Sequence, residues 1–143
     1  VSTVDHFDLV VSDLERSVAF YSELLGPLGW TRWAQIVGER GEPVHYLGGE
    51  PPNRDVVMSL RQSQSDAHAT PYDRYAVGIH HIAFKAESWA VVDERYQWLL
   101  DNDARIESPP QTYDYTDGYY ACFFYDPDGI KLEIVHKPGG NAG

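Results

Sequence analysis

VDHFDLVV, residues 4–11, and IHHIAFKA, residues 79–86, decide the fold of this chain. Laid one over the other, they set His6 on His81, a spacing of 75 residues. The same spacing sets Tyr21 on Tyr96, Leu24 on Leu99 and Leu25 on Leu100 without a gap. A constant offset across apolar and polar positions marks an internal repeat. The repeat divides the chain into two modules, about 4–61 and 79–136, joined by a polar segment over about 62–78. That joiner, QSQSDAHATPYDRYAV, has a proline and no hydrophobic period, so it reads as a linker.

Each module opens with period-two alternation, the signature of a strand. Phe7, Leu9 and Val11 fall on one face, with Val4, His6, Asp8 and Val10 on the other. In the second copy His80, Ile82, Phe84 and Ala86 alternate with Ile79, His81, Ala83 and Lys85, which puts His80 on the outer face. A helix follows each strand. Ser12 and Glu15 form a capping-box pattern ahead of Leu14, Val18, Tyr21 and Leu25, and Gly26-Pro27 ends the run. The second helix starts at Ser88 and carries Trp89, Val92, Tyr96, Leu99 and Leu100. Short strands complete each module: about 31–37, 44–47 and 56–60, then about 105–107, 119–126 and 131–136. The turn Asp126-Pro127-Asp128-Gly129 separates the last two. The expected class is therefore α+β, with two βαβββ modules forming a curved mixed sheet around a central cavity in one domain over 1–143.

Composition narrows the partners. Of 143 residues 43% are hydrophobic and 23% charged, enough to build a core rather than a disordered chain. The formal charge of −11 repels phosphate backbones and anionic lipid, so neither nucleic acid nor a membrane is an expected partner. No apolar run approaches the ~20 residues of a membrane span. The first residues lack the pattern of a signal peptide. Cys122, the single cysteine, cannot make an internal disulfide or a thiolate zinc site. The expected location is cytoplasmic.

Three polar residues stand out on the strands. Glu133 lies in KLEIV, among neighbours that want burial, and a buried carboxylate needs a cation, a donor or a metal. His6 and His81 share one phase of the repeat. Two histidines and a carboxylate on three strands form a facial set suited to one divalent ion, Mn, Fe, Co, Ni or Zn. A structural alternative is that Lys131 pairs with Glu133 and the histidines are ordinary strand residues. His45 and Tyr46 line either a cavity or a strand end. His68 falls in the linker, His136 opposite Glu133, and Cys122 in inert core. No G-x-S-x-G, Walker loop or G-x-G-x-x-G after a strand is present.

DHFDLVVSDLERSVAFYSELLG, GIHHIAFKA and YYACFFYDPDGIKLEIV resemble the vicinal oxygen chelate superfamily of glyoxalases, bleomycin-resistance proteins, extradiol dioxygenases and methylmalonyl-CoA epimerase. The resemblance runs from Val4 to His136. It implies paired βαβββ modules around a metal cavity, with His6, His81 and Glu133 at metal-ligand positions and Glu133 catalytic, as ligand or base. Glyoxalase I and the epimerase add a fourth ligand on the last strand of the first module. Subtracting the repeat offset from Glu133 puts Met58 there, a poor ligand for such ions, and neighbouring Ser59 is little better. Extradiol dioxygenases place a histidine where this chain reads NRDVVMS, and a tyrosine where it has Phe123. The resemblance thus implies a metal-dependent lyase or isomerase acting on a small molecule held by His45, Tyr46, Met58, Tyr113, Tyr119 and Phe123, in a homodimer. Its alternatives are an extradiol-type dioxygenase, or a metal-free binding protein in which Trp30, Trp33, Tyr46, Tyr113, Tyr115 and Tyr119 cradle a planar ligand.

Overall fold

The computed structural model describes residues 4–50, 56–65 and 70–138. The chain divides into two compact units, Val1–Pro71 and Tyr72–Gly143, so the boundary falls inside the expected linker. His68 and the Asn53–Asp55 part of NRDVVMS lie outside the described residues.

The first unit runs β1 (His6–Val11), α1 (Leu14–Leu25), a single 3-10 turn (Gly26–Leu28), β2 (Arg32–Val37), β3 (Pro43–Gly48) and β4 (Val57–Gln62). The second runs β5 (Ile82–Lys85), α2 (Trp89–Asp101), β6 (Ile106–Tyr113), β7 (Tyr119–Tyr125) and β8 (Lys131–His136). Each unit closes its own four-stranded mixed sheet, ordered β1-β4-β3-β2 and β5-β8-β7-β6. The first strand pairs in parallel with the last, and the other pairs are antiparallel.

The core of each unit forms between its helix and one sheet face. Tyr21, Leu24 and Leu25 of α1 are buried, as are Leu9, Val11, Leu47, Met58 and Leu60 of the sheet. The Gln62 side chain joins the two layers, accepting from Leu14 N–H at 2.9 Å and donating to the Ser12 carbonyl at 2.9 Å. In the second unit Val92 and Leu99 of α2 are buried, together with Phe84, Cys122, Phe124, Leu132 and Ile134. Burying a leucine or phenylalanine side chain contributes about 1.5–3 kcal/mol, so these layers fix the faces of both sheets.

Two local expectations are corrected. The N-cap of α1 is Asp13, not Ser12: its carboxylate accepts from Arg16 N–H at 3.1 Å, while the Ser12 hydroxyl accepts from the Arg16 guanidinium at 3.0 Å. Both residue types cap helices, so the choice falls to the backbone register of the preceding strand. The strand expected over 105–107 extends to Tyr113 despite Pro109 and Pro110. It lies at the edge of its sheet, where one side needs no ladder donors, and its pairing with β7 shifts register twice. The expected caps and turn at Ser88 and Asp126 are present. Ser88 accepts from Val91 N–H, and Asp126 accepts from Asp128 and Ile130 N–H, with Gly129 at φ 88°.

Candidate functional site

Register determines what each sheet presents on the side away from its helix. Tyr120 stacks on Trp89 of α2 at 4.4 Å and donates to Asp93, so Tyr120, Cys122 and Phe124 face the helix. Tyr119, Ala121 and Phe123 face the other way and form a cluster with Val135, against which Tyr113 packs. Glu133 pairs across from Phe123 on one side and Ala83 on the other, which puts its carboxylate on this second face.

Glu133 is only 2% exposed. Its Oε1 lies 3.2 Å from Nε2 of His81, and its Oε2 accepts a short hydrogen bond from the Tyr119 hydroxyl. Burial first, and that hydrogen bond second, push the Tyr119 phenol well above its ordinary range. Tyr119 therefore stays a proton donor to the carboxylate at neutral pH. Lys131 does not pair with Glu133. Its ammonium lies 2.7 Å from Glu107 Oε2 and 4.7 Å from the centre of the Phe123 ring. The alternative of a simple lysine–glutamate pair is thus removed, and the carboxylate is left to an imidazole and a phenol.

His81 is held on its other side by His80. The two Nδ1 atoms are 2.8 Å apart, and the rings meet edge to face at 5.1 Å. This differs from the expected outward-facing His80. β5 begins at Ile82, so strict alternation does not govern residues 80 and 81. His80 also meets Tyr75 edge to face at 5.3 Å, and Arg74 lies over the Tyr75 ring and bonds Glu107. Partial desolvation, followed by the charge of His81, lowers the His80 pKa.

Around the carboxylate the aromatic side chains make a wall. Tyr113 meets Tyr119 and Phe123 edge to face, and Tyr115 stacks on Tyr113 at 5.5 Å. The Phe123 ring also meets His81 edge to face at 6.0 Å. The second unit thus brings together His81, Glu133, Tyr113, Tyr119 and Phe123 of the expected site. Cys122 is buried on the helix side, where desolvation pushes its thiol up to about 12, and His136 bonds the Ala86 carbonyl on that side.

In the first unit His6 is exposed, with Nδ1 2.6 Å from Asp5 Oδ1. His45 and Met58 lie on the α1 face: His45 pairs with Leu60, and Met58 pairs with Phe7 and Leu47. His45 is 5% exposed, stacks under Trp33 at 5.7 Å, and neither ring nitrogen has a hydrogen-bond partner. Burial lowers its pKa. Tyr46 lies on the opposite face, lining a hollow of about 200 Å³ with Arg32, Ala34, Gly48 and Val57.

The register also corrects the position equivalent to Glu133. Asp8 pairs with Ser59, and Ala83, its partner in the repeat, pairs with Glu133. The equivalent residue is therefore Ser59, not Met58, because the second module is one residue shorter between its first and last strands. A slip of one residue moves a side chain to the other face, which is why Met58 sits in the core. Ser59 is fully buried, and its hydroxyl has no hydrogen-bond partner. Among the described residues, no group of three or more His, Cys, Asp or Glu side chains is arranged to hold a metal ion. No helix among them is long and apolar enough to cross a membrane.

A duplicated βαβββ frame, with a buried carboxylate and a histidine on the face away from the helix, defines a family. Residues 3–134 match the Glyoxalase/Bleomycin resistance protein/Dioxygenase superfamily, and the chain belongs to it. It is 28% identical to the metallothiol transferase FosB of Staphylococcus saprophyticus over 94% of this chain and 76% of that protein. It is 26% identical to the lactoylglutathione lyase of Salmonella typhimurium, over 96% and 95% of the two chains. A glyoxylase/bleomycin resistance protein/dioxygenase domain from Frankia superposes with a TM-score of 0.71 at 26% identity, covering 95% and 98% of the chains.

Proposed function

We propose that the protein is a metal-dependent enzyme acting on a small molecule by redox-neutral lyase, isomerase or transferase chemistry, with His6, His81 and Glu133 as metal ligands. The observation that carries this is the environment of Glu133. A carboxylate 2% exposed and without a lysine or arginine partner among the described residues is costly to bury, and His81 with Tyr119 only partly offsets that. Imidazole nitrogen and carboxylate oxygen are the donor types that divalent first-row ions take, so the residues fit. A bound ion supplies a Lewis acid that polarises a substrate oxygen.

The chain's own groups do the rest. Tyr119 holds Oε2 and leaves Oε1 turned to His81. Asp5 accepts from His6 Nδ1, which leaves Nε2 as the donor nitrogen, the outer-sphere pattern of metal-binding histidines. Tyr113, Tyr115 and Phe123 offer flat apolar surface to the body of a small substrate and shed water from the carboxylate. The names of two relatives, a metallothiol transferase and a lactoylglutathione lyase, describe non-oxidative group transfer and lyase chemistry. Phe123, lacking a hydroxyl, offers no acid–base group for an oxygen-dependent ring cleavage. We also propose a homodimer, since both sheets leave edge strands to be covered, and a cytoplasmic location, consistent with a single free, buried cysteine.

The test is metal uptake. Protein stripped with a chelator and reloaded with Mn, Fe, Co, Ni or Zn should take one ion per chain, and His81→Ala should take none. Equal uptake by the two proteins would remove the site from these residues. Absence of uptake by the wild type would leave a metal-free binding protein. Rapid oxygen consumption by the Fe(II)-loaded protein with catechols would replace lyase chemistry with ring cleavage.

A further inference from the structure

We infer that His80 is a positioning residue for His81, holding the imidazole through the Nδ1–Nδ1 contact and accepting its Nδ1 proton when Nε2 is used as a donor toward a metal. The inference rests on the metal-site reading above. Three observations carry it, all within the second unit. The Nδ1 atoms are 2.8 Å apart, hydrogen-bond distance, so one of the two must carry a proton and the other accept it. His81 Nε2 is the atom turned to Glu133, at 3.2 Å, so Nδ1 is the nitrogen left to be fixed by a neighbour. His80 itself is braced, edge to face against Tyr75, whose own ring lies under Arg74, and Arg74 is anchored to Glu107.

The choice of a histidine here has a chemical consequence. Without a cation, His81 Nε2–H donates to Glu133 and its Nδ1 accepts from His80. When Nε2 gives its lone pair away, the His81 proton must sit on Nδ1, and His80 must become the acceptor. A carboxylate or carbonyl can fill only the second of these roles. Imidazole can fill both by changing tautomer, so the contact survives the change. Outer partners that set tautomer and ring orientation change metal affinity by about 10–100-fold when removed.

The experiment separates hydrogen bonding from packing and from the underlying reading. Zn(II) affinity is measured by chelator competition for wild type, His80→Asn, His80→Phe and His80→Ala, with His81→Ala and Glu133→Gln as ligand controls. Asparagine keeps polar atoms near the Nδ1 position, whereas phenylalanine keeps the ring contact with Tyr75 and loses the nitrogen. The expected result is a loss of about 10–100-fold for His80→Ala and His80→Phe, and near wild-type affinity for His80→Asn. Nitrogen NMR of the Zn(II) protein should show His81 protonated at Nδ1 and His80 unprotonated there. Thermal unfolding of the metal-free variants should match wild type within about a degree or two, since residue 80 is exposed. Wild-type affinity in His80→Ala or His80→Phe, or equal loss in His80→Asn, overturns the positioning role while the ligand controls still stand. Wild-type affinity in the two ligand controls overturns the metal-site reading, and the positioning role with it.

Discussion

The two modules share one strand order and one helix placement, yet they differ at buried polar positions. At the register position where the second has Glu133, the first has Ser59. Where the first has buried His45, across from Leu60, the second has Cys122, across from Ile134. Glu133 is held by His81 and Tyr119, whereas the Ser59 hydroxyl has no partner. The frame is therefore set by apolar alternation, which both copies keep. Single polar residues are what the copies vary: Glu133 against Ser59 on the face away from the helix, and Cys122 against His45 on the helix side.

The largest effect should come from testing that asymmetry directly. Glu133→Gln should lower metal affinity by more than about 100-fold, beyond the range of outer-sphere changes, while Ser59→Ala should leave affinity unchanged. Competition titration with a chromogenic chelator reads both. A comparable loss in Ser59→Ala would make the two modules equal contributors and break the comparison.

Next come the cores, where the modules should behave alike. Leu24→Ala and Leu99→Ala each remove a fully buried side chain at the same repeat position. Each should cost about 2–5 kcal/mol in urea unfolding. A wide gap between them would show that one module yields more readily to a cavity.

A smaller effect separates the modules by pH. His45 has a pKa below its ordinary value through burial, so between the folded value and about 6.5 the unfolded chain binds a proton that the folded chain refuses. Stability is unaffected by His45 above about 6.5 and falls as pH drops below it, by at most about 1.4 kcal/mol per pH unit. His45→Leu should remove that slope from urea midpoints measured between pH 7.5 and 5.5. Cys122→Ser should leave it in place, since that thiol titrates only near about 12.

The smallest difference lies at the helix starts. Ser88→Ala should cost about 1 kcal/mol, and Asp13→Ala roughly half as much, because Gln62 also binds the first turn of α1. Thermal melts of the two variants, compared with wild type, would sharpen or reverse that ranking.

Much of the frame was legible because it rests on periodicity. Strand alternation around Leu9 and Phe84, the offset that joins His6 to His81, and the Asp126–Gly129 turn are local signals with local causes. What was not legible depended on register or on distant partners. The one-residue difference between the modules moved the equivalence from Met58 to Ser59, and no local pattern marks such a slip. Pro109 and Pro110 read as a break until their edge position is known. Lys131 looks toward Glu133 in sequence, and only the fold brings Glu107 closer. Of the site, Glu133 showed itself as a carboxylate out of place in an apolar strand. His80 was hidden, since alternation assigns it to the face opposite His81, and only the late start of β5 brings the rings together.

Among the described residues, every ladder closes within its own half. This bears on how the chain is born. During synthesis the first half can complete all its strand pairing as soon as Gln62 has left the ribosome, without waiting for the second. The slow step in each half is the same: bringing the opening strand beside the closing one across about fifty residues, a loop whose closure entropy must be met before the parallel pair forms. Until β4 emerges, β1 waits with its edge unpaired. A pause in translation placed once Gln62 has left the ribosome would give the first half time to close before the second adds two more open edges.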